Sequence, residues 1–392
     1  MRTLVTLVLL VASVGLIGWV IRAAGWRFAA KRFGQALLIL VLVTFGTTWI
    51  LTQFPGDPCV SALGIGASEE AVEQCTEDRK LDENVLVQYA DWAGSVLSGD
   101  LGVAKYKSGI PLSDIVRDRG PRTILLFIYS QGVALVIAVP IGIWSAYQAG
   151  RQARPVHRWA LPAAIIALGL FGFMVSWSVV LLLMLCVLVP VYVYYGIRGV
   201  AGADRLVSTT AFVFLSIPVF VLGETLRYWF AINWEWYDLV GYAPLNEGVL
   251  DHFKSIWLPA LVLGLAVAPV YLRLLLADIM QNLQQDFVAV AKAKGMSNTH
   301  VLLRHVLRPS TLTLLTVAGL NIAQLVNGAI VVEFIYDLDG LCSYLIEALA
   351  AREFFPVQTL VAMVAVVFVL TNTIIDLFYT AVDPRVQAQD DR

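Results

Sequence analysis

Charge is what this 392-residue chain has least of: only 14% of its residues are Asp, Glu, Lys or Arg, and 27 basic residues against 29 acidic ones leave a net charge of -2. A balance so close to neutral offers no basic excess to a phosphate backbone, so no nucleic-acid partner is expected. Cysteines number four, and neither CxxC nor HExxH spacing occurs, so no metal site is expected. The G-x-x-x-x-G-K-[ST] phosphate loop and the G-x-S-x-G nucleophile elbow are absent too. Without those parts an enzyme is not expected. His157, His252, His300 and His305 fall in loops or at their edges, where solvated or interfacial imidazoles are the plain reading. Internal repeats and low-complexity tracts are also missing.

Apolar residues are abundant instead. At 59% hydrophobic and a mean hydropathy of +0.76, the chain carries more apolar surface than a soluble core of ordinary composition hides, which predicts an all-α polytopic membrane protein. Residues 3 to 21 are long enough to cross a hydrocarbon layer of ~30 Å. Arg22, Arg27, Lys31 and Arg32 follow them and only Arg2 precedes them, so this helix is expected to run inward. A signal peptide is the alternative, against which stands the want of a good small-x-small cleavage site after the apolar core. Further spans are expected at 35–54, 123–149, 209–232, 256–280, 312–332 and 357–382. The run from Trp159 to Ile197 would reach roughly 60 Å as one helix, and its basic flanks favour a hairpin with both ends in the cytoplasm. One steeply tilted helix is its rival. The hairpin brings the total to nine spans.

Between the spans lie three informative intervals. Residues from Cys59 to Arg122 are polar and acidic and form an external loop with a surface helix expected from Pro111 to Arg119. Cys59 and Cys75 share this loop, and a disulfide and two separate thiols are equally open. The interval Glu333 to Glu353 is too short and polar to span, which suggests a re-entrant or surface segment. The third interval, Asp286 to Pro309, is basic and sits between two apolar runs. Ala289, Ala291 and Ala293 lead into Gly295, and Ser297 or Asn298 is placed to cap a second helix. Lys292, Lys294, Arg304 and Arg308 occur there with no acid after Asp286, so a helix, a turn and a helix are expected on the cytoplasmic side.

This third interval resembles the EAA loop of bacterial ATP-binding cassette importer permeases, and within them the peptide and nickel group. Asp286-Phe287-Val288, Ala291-Lys292-Ala293-Lys294-Gly295, Leu303-Arg304-His305 and Leu307-Arg308 carry the likeness. It extends in order through Pro55-Gly56-Asp57-Pro58, Gly99-Asp100-Leu101-Gly102, Val331-Val332-Glu333, and Asp376 with Asp383-Pro384-Arg385. The chain departs from the family at Ala289, where relatives often carry a charge, at Pro309 directly after Arg308, at Thr313 in place of a proline, and at Asp339-Gly340-Leu341-Cys342.

The resemblance implies a type I importer permease core of six spans, with an added N-terminal helix and an added hairpin. The expected division is 1–27 for the added helix, 28–122 for the first core span and external loop, 123–385 for the permease core, and 386–392 for a cytoplasmic tail. The hairpin at 159–197 and the coupling loop at 281–309 fall inside the core. It further implies a bacterial cytoplasmic (inner) membrane, two ATP-binding cassette ATPase subunits, a homologous second permease and an extracytoplasmic substrate-binding protein. ATP and magnesium would be held by the partner subunits and no cofactor by this chain. Peptides are the implied substrate, with nickel or another small solute as the alternative, and an ion-gradient-driven transporter as the reading from another class. Asp286, Ala289, Ala291, Lys292, Lys294, Gly295, Met296 and His300 would couple the chain to an ATPase. Charges inside a membrane are costly and tend to be functional or paired, so Arg273, Glu333 and Glu224 are candidates for a translocation path or gate.

Overall fold

A computed structural model describes residues 26–53, 59–60, 66–78, 82–104, 109–149, 217–238 and 241–382. The expected helix at 3–21, Pro55 to Pro58, the expected hairpin at 159–197 and Asp383-Pro384-Arg385 lie outside the described residues. The described chain is helical apart from one two-stranded antiparallel hairpin, β1 (Val103–Ala104) with β2 (Ile110–Pro111), in which Val103 faces Pro111. It divides into two compact units, one of Met1–Asp118 with Tyr344–Arg392, the other of Arg119–Ser343.

In the first unit, helix α1 (Trp26–Thr52) packs against α11 (Phe354–Val382), and Gln358 Nε2 donates to Thr48 Oγ1 at 2.5 Å. Between them in sequence come α2 (Glu69–Asp78), whose first-turn Glu69 and Glu70 complement the helix dipole, and α3 (Val85–Leu97), capped by Asn84 accepting from Leu86 N. Trp92 of α3 is buried and donates to Thr359 Oγ1 at 3.1 Å. Cys59 and Cys75 form a disulfide, which decides the question that the sequence left open.

The second unit is built around α6 (Val249–Asn282), of which 61% of the apolar window is buried within the chain, against 17% for α1. α6 is therefore a central span, and α1 turns Phe33, Leu37, Leu38 and Leu42 outward, as a lipid-facing helix does. Gly264 lets α4 (Leu112–Ala149) approach α6 closely, since a Cβ there would collide with Val133 and the Ser130 carbonyl. Gln131 of α4 adds a polar tie: its Nε2 donates to Ala318 O at 2.8 Å and its Oε1 accepts from Tyr271 OH at 2.6 Å. Ala318 belongs to α8 (Leu307–Leu320), which packs on α6 with α9 (Ile322–Tyr336). The remaining helices are α5 (Val219–Arg227), continued by a π segment Tyr228–Asn233; α7 (Asp286–Ala293); and α10 (Leu341–Ala350), which crosses from this unit into the first.

Four helices are long and apolar enough to cross a membrane among the described residues, and five if a bent pair counts as one span. That pair corrects the straight span expected over 312–332, because the helix breaks at Asn321 and turns through 56°. Asn321 Nδ2 donates to Val317 O at 2.9 Å, a local bond that competes with the helical ladder. A second correction concerns the expected surface helix at 111–119, which is the first part of α4 and runs through Pro121 without a stop. Tertiary bonds carry the helix past the proline: Arg119 and Arg122 on either side of it both engage Asp339.

Candidate coupling surface and buried carboxylate

Asp286 opens α7 and faces solvent at its N-terminus. The helix ends in a Schellman turn: Met296 N donates to Ala291 O at 3.3 Å and Gly295 N to Lys292 O at 2.9 Å. Gly295 has φ +79°, the left-handed conformation that this turn requires and glycine adopts most cheaply. Ser297 then caps the next helical turn, Asn298–His300, by accepting from His300 N at 3.4 Å. A π segment, Val301–Val306, leads into α8. Pro309 within the first turn of α8 lacks a backbone donor, and the wider π turns immediately before it accommodate that loss.

α7 lies on the π segment through Val288 and Ala291, which pack with Val301, Leu302 and Val306. Ala291 is thus 6% exposed, which corrects its expected place on a partner-facing side. The reason is the helical period: Ala289 and Ala293 share the outer face, and Ala291 points the other way. Met296, also expected on that face, is half-buried and packs inward as the hydrophobic contact of the Schellman turn. Outside stand Phe287, Ala289, Val290, Lys292, Ala293, Lys294, His300, Leu303, Arg304 and Arg308, with the acid Asp286 at the start of α7 and the uncharged Ser297, Asn298 and Thr299 at the turn. Exposed small and apolar side chains together with four exposed cations make a surface suited to a protein partner bearing acids.

Glu333 is disposed in the opposite way. It is 1% exposed; Thr123 Oγ1 donates to its Oε1 at 2.5 Å and Ser343 N donates to its Oε2 at 2.8 Å. Leu341 N donates to Thr123 Oγ1 at 2.9 Å. Side chains from α4 and α9 therefore satisfy amides of the first turn of α10 that have no partner within the helix. Gly340 is hemmed in by the same carboxylate, into which a Cβ would run. Asp337 and Asp339 adopt left-handed φ values of 52° and 54° in the connecting loop. Arg119 Nη2 pairs with Asp339 Oδ1 at 3.0 Å, and Arg122 Nη1 donates to Asp339 O at 3.3 Å while its guanidinium lies 5.4 Å from the Tyr242 ring centre. Burial, with the charge of Glu333 behind it, pushes the Cys342 thiol well above its ordinary range.

Of the other candidates for a path, Glu224 is exposed and pairs with Arg227 at 3.2 Å, and Arg273 is exposed on α6. Glu224, Arg273 and Glu333 occupy three different helices. No group of three or more His, Cys, Asp or Glu suited to a metal ion occurs among the described residues. Sequence reasoning missed Thr123, Arg119, Arg122 and Asp339 as partners of this cluster. Only the run Asp337 to Gly340 hinted at an unusual loop.

The described residues form a multi-span helical protein with a short helical hairpin turned outward, an architecture open to a membrane transport permease. The chain belongs to the family of binding-protein-dependent transport system inner membrane components: the model for that component matches residues 199–388, and the model for its N-terminal part matches residues 26–126. It is similar to the dipeptide transport system permease protein DppB of Escherichia coli, at 29% identity over 92% of this chain and 98% of that one. The oligopeptide transport system permease protein AppB of Bacillus subtilis is 28% identical over 92% of this chain and 99% of its own length. A probable peptide ABC transporter permease protein, y4tP, of Sinorhizobium fredii is 25% identical over 92% of this chain and 99% of its own.

Proposed function

We propose that this chain is a peptide-translocating permease subunit of an ATP-driven importer in a bacterial cytoplasmic membrane, and that it performs no chemistry itself. The observation that carries this reading is the outward face of α7, small at Ala289 and Ala293, on a hairpin whose Lys292, Lys294, Arg304 and Arg308 are exposed. A surface of this kind fits a groove on a cytoplasmic ATPase, one beneath this chain and one beneath a homologous second permease. ATP and magnesium are held by those subunits. Closure of the ATPases moves α7, and α7 moves the spans on which it rests, so that the path opens alternately to each side. A binding protein supplies substrate at the other face, near the disulfide-closed loop.

Peptide is the substrate that relatives spanning nearly all of this chain support. Uptake of a labelled dipeptide into proteoliposomes holding the purified complex tests both parts. Peptide uptake that needs ATP and the binding protein is the expected result. Nickel uptake without peptide uptake would remove the substrate claim, and uptake driven by an ion gradient without ATP would remove the mechanism.

A further inference from the structure

Four polar side chains join the two arms of the coupling hairpin. Asn282, the last residue of α6, uses both amide protons: Nδ2 donates to Asp278 Oδ2 at 3.1 Å and to Ser310 Oγ at 3.0 Å. A carboxylate can only accept, so the orientation of the Asn282 amide is settled by its neighbour. Ser310, wholly buried on α8, passes its own proton to Val306 O at 3.1 Å. Thr313 Oγ1 lies 3.5 Å from Asp278 Oδ1, at the edge of hydrogen-bond reach. A single bond from Asn282 to Ser310 thereby closes the 28-residue interval that contains α7, its turn and the π segment.

Apolar contact between α6 and α8 is non-directional and tolerates sliding, whereas these bonds hold only at one axial register. Val306 is also the last residue of the segment on which α7 sits. Mechanical continuity therefore runs from Val288 and Ala291 of α7, through Val301 to Val306, to Ser310, Asn282 and Asp278.

We propose that Asp278, Asn282, Ser310 and Thr313 form a brace that makes the coupling hairpin a rigid lever, so that displacement of α7 is delivered to α6 and α8 together. The four are positioning residues, and the proposal rests on the ATP-coupled reading above. Without the brace, α7 still docks and ATP is still hydrolysed, but the movement is absorbed at the base of the hairpin.

The test uses the assembled complex in proteoliposomes, measuring peptide taken up per ATP hydrolysed. Asn282→Leu keeps the branching and the number of heavy atoms and removes both donors, and should lower that ratio about tenfold while the ATPases still co-purify and basal hydrolysis persists. Ser310→Ala should act in the same direction. The exchange Asp278→Asn with Asn282→Asp lets an amide at 278 and the Ser310 hydroxyl both donate to a carboxylate at 282, and should restore the ratio. A merely structural role predicts instead that assembly, hydrolysis and uptake fall in proportion, or that the exchange is no better than either single change; either result overturns the brace. A coupled wild type with an equally coupled Asn282→Leu variant overturns the brace alone. A wild-type complex with no ATP-driven uptake overturns the reading beneath it, and the brace with it.

Discussion

The hairpin around Gly295 and the carboxylate at Glu333 are both polar interruptions of an apolar chain, and they are put to opposite use. Around Gly295 the charged groups are mostly cationic and turned outward, and a Cβ at that glycine would meet nothing within 4 Å. Around Glu333 the carboxylate, the Thr123 hydroxyl and the Ser343 amide are turned inward and bonded to one another, and a Cβ at the neighbouring Gly340 would strike the carboxylate. Open space beside an exposed turn leaves a surface free for something else. A filled, fully bonded site signals a joint within the chain itself. The comparison teaches that a charge in an apolar segment is functional or structural according to where its bonds are spent.

The contrast can be broken most severely at Glu333. Glu333→Leu leaves the Thr123 hydroxyl and the Ser343 amide without an acceptor, at about 1–3 kcal/mol for each orphaned group. A drop of several degrees in the unfolding temperature of the detergent-purified protein is expected, and an unchanged temperature would deny the joint. Next in size is the disulfide. Cys59→Ser with Cys75→Ser releases a short loop, for which chain-entropy reasoning gives roughly 3 kcal/mol; limited proteolysis of the loop should become faster, with uptake affected less than stability. Ser297→Ala removes a helix cap at about 1 kcal/mol, read as lower coupling with little change in unfolding temperature. Smallest for stability is Gly295→Asp, which meets no neighbour and costs about 1 kcal/mol of backbone strain. Its effect on uptake should nonetheless be large, and undiminished uptake would count against the hairpin as the point of coupling.

Much of this architecture is readable from composition and punctuation. Apolar run length marks α1, α4, α6 and α11, and Gly295 with Ser297 marks the turn and the cap, because these depend on residues close in sequence. What could not be read depends on partners far away. Thr123 and Glu333 are 210 residues apart, and nothing local in either announces the other. Pro121 reads as a stop until Asp339 is brought beside Arg119 and Arg122. Asn321, by contrast, was a visible polar residue in an apolar run, and its bond to Val317 is local; the break at 321 was the more legible of the misses. The motif as a string groups Ala291 with Ala289 and Ala293, whereas helical phase places Ala291 on the opposite, buried face.

The account stands on the outer face of α7 as the seat of an ATPase subunit. Purification of the complex from membranes in mild detergent, with wild-type chain and with Ala289→Trp, tests this most directly. Ala289 is exposed, so an indole there should leave the chain in the membrane and exclude the partner. The account predicts that the ATPase subunits accompany the wild-type chain and are lost from the variant. An ATPase retained in full by Ala289→Trp, or absent from the wild type, would contradict it.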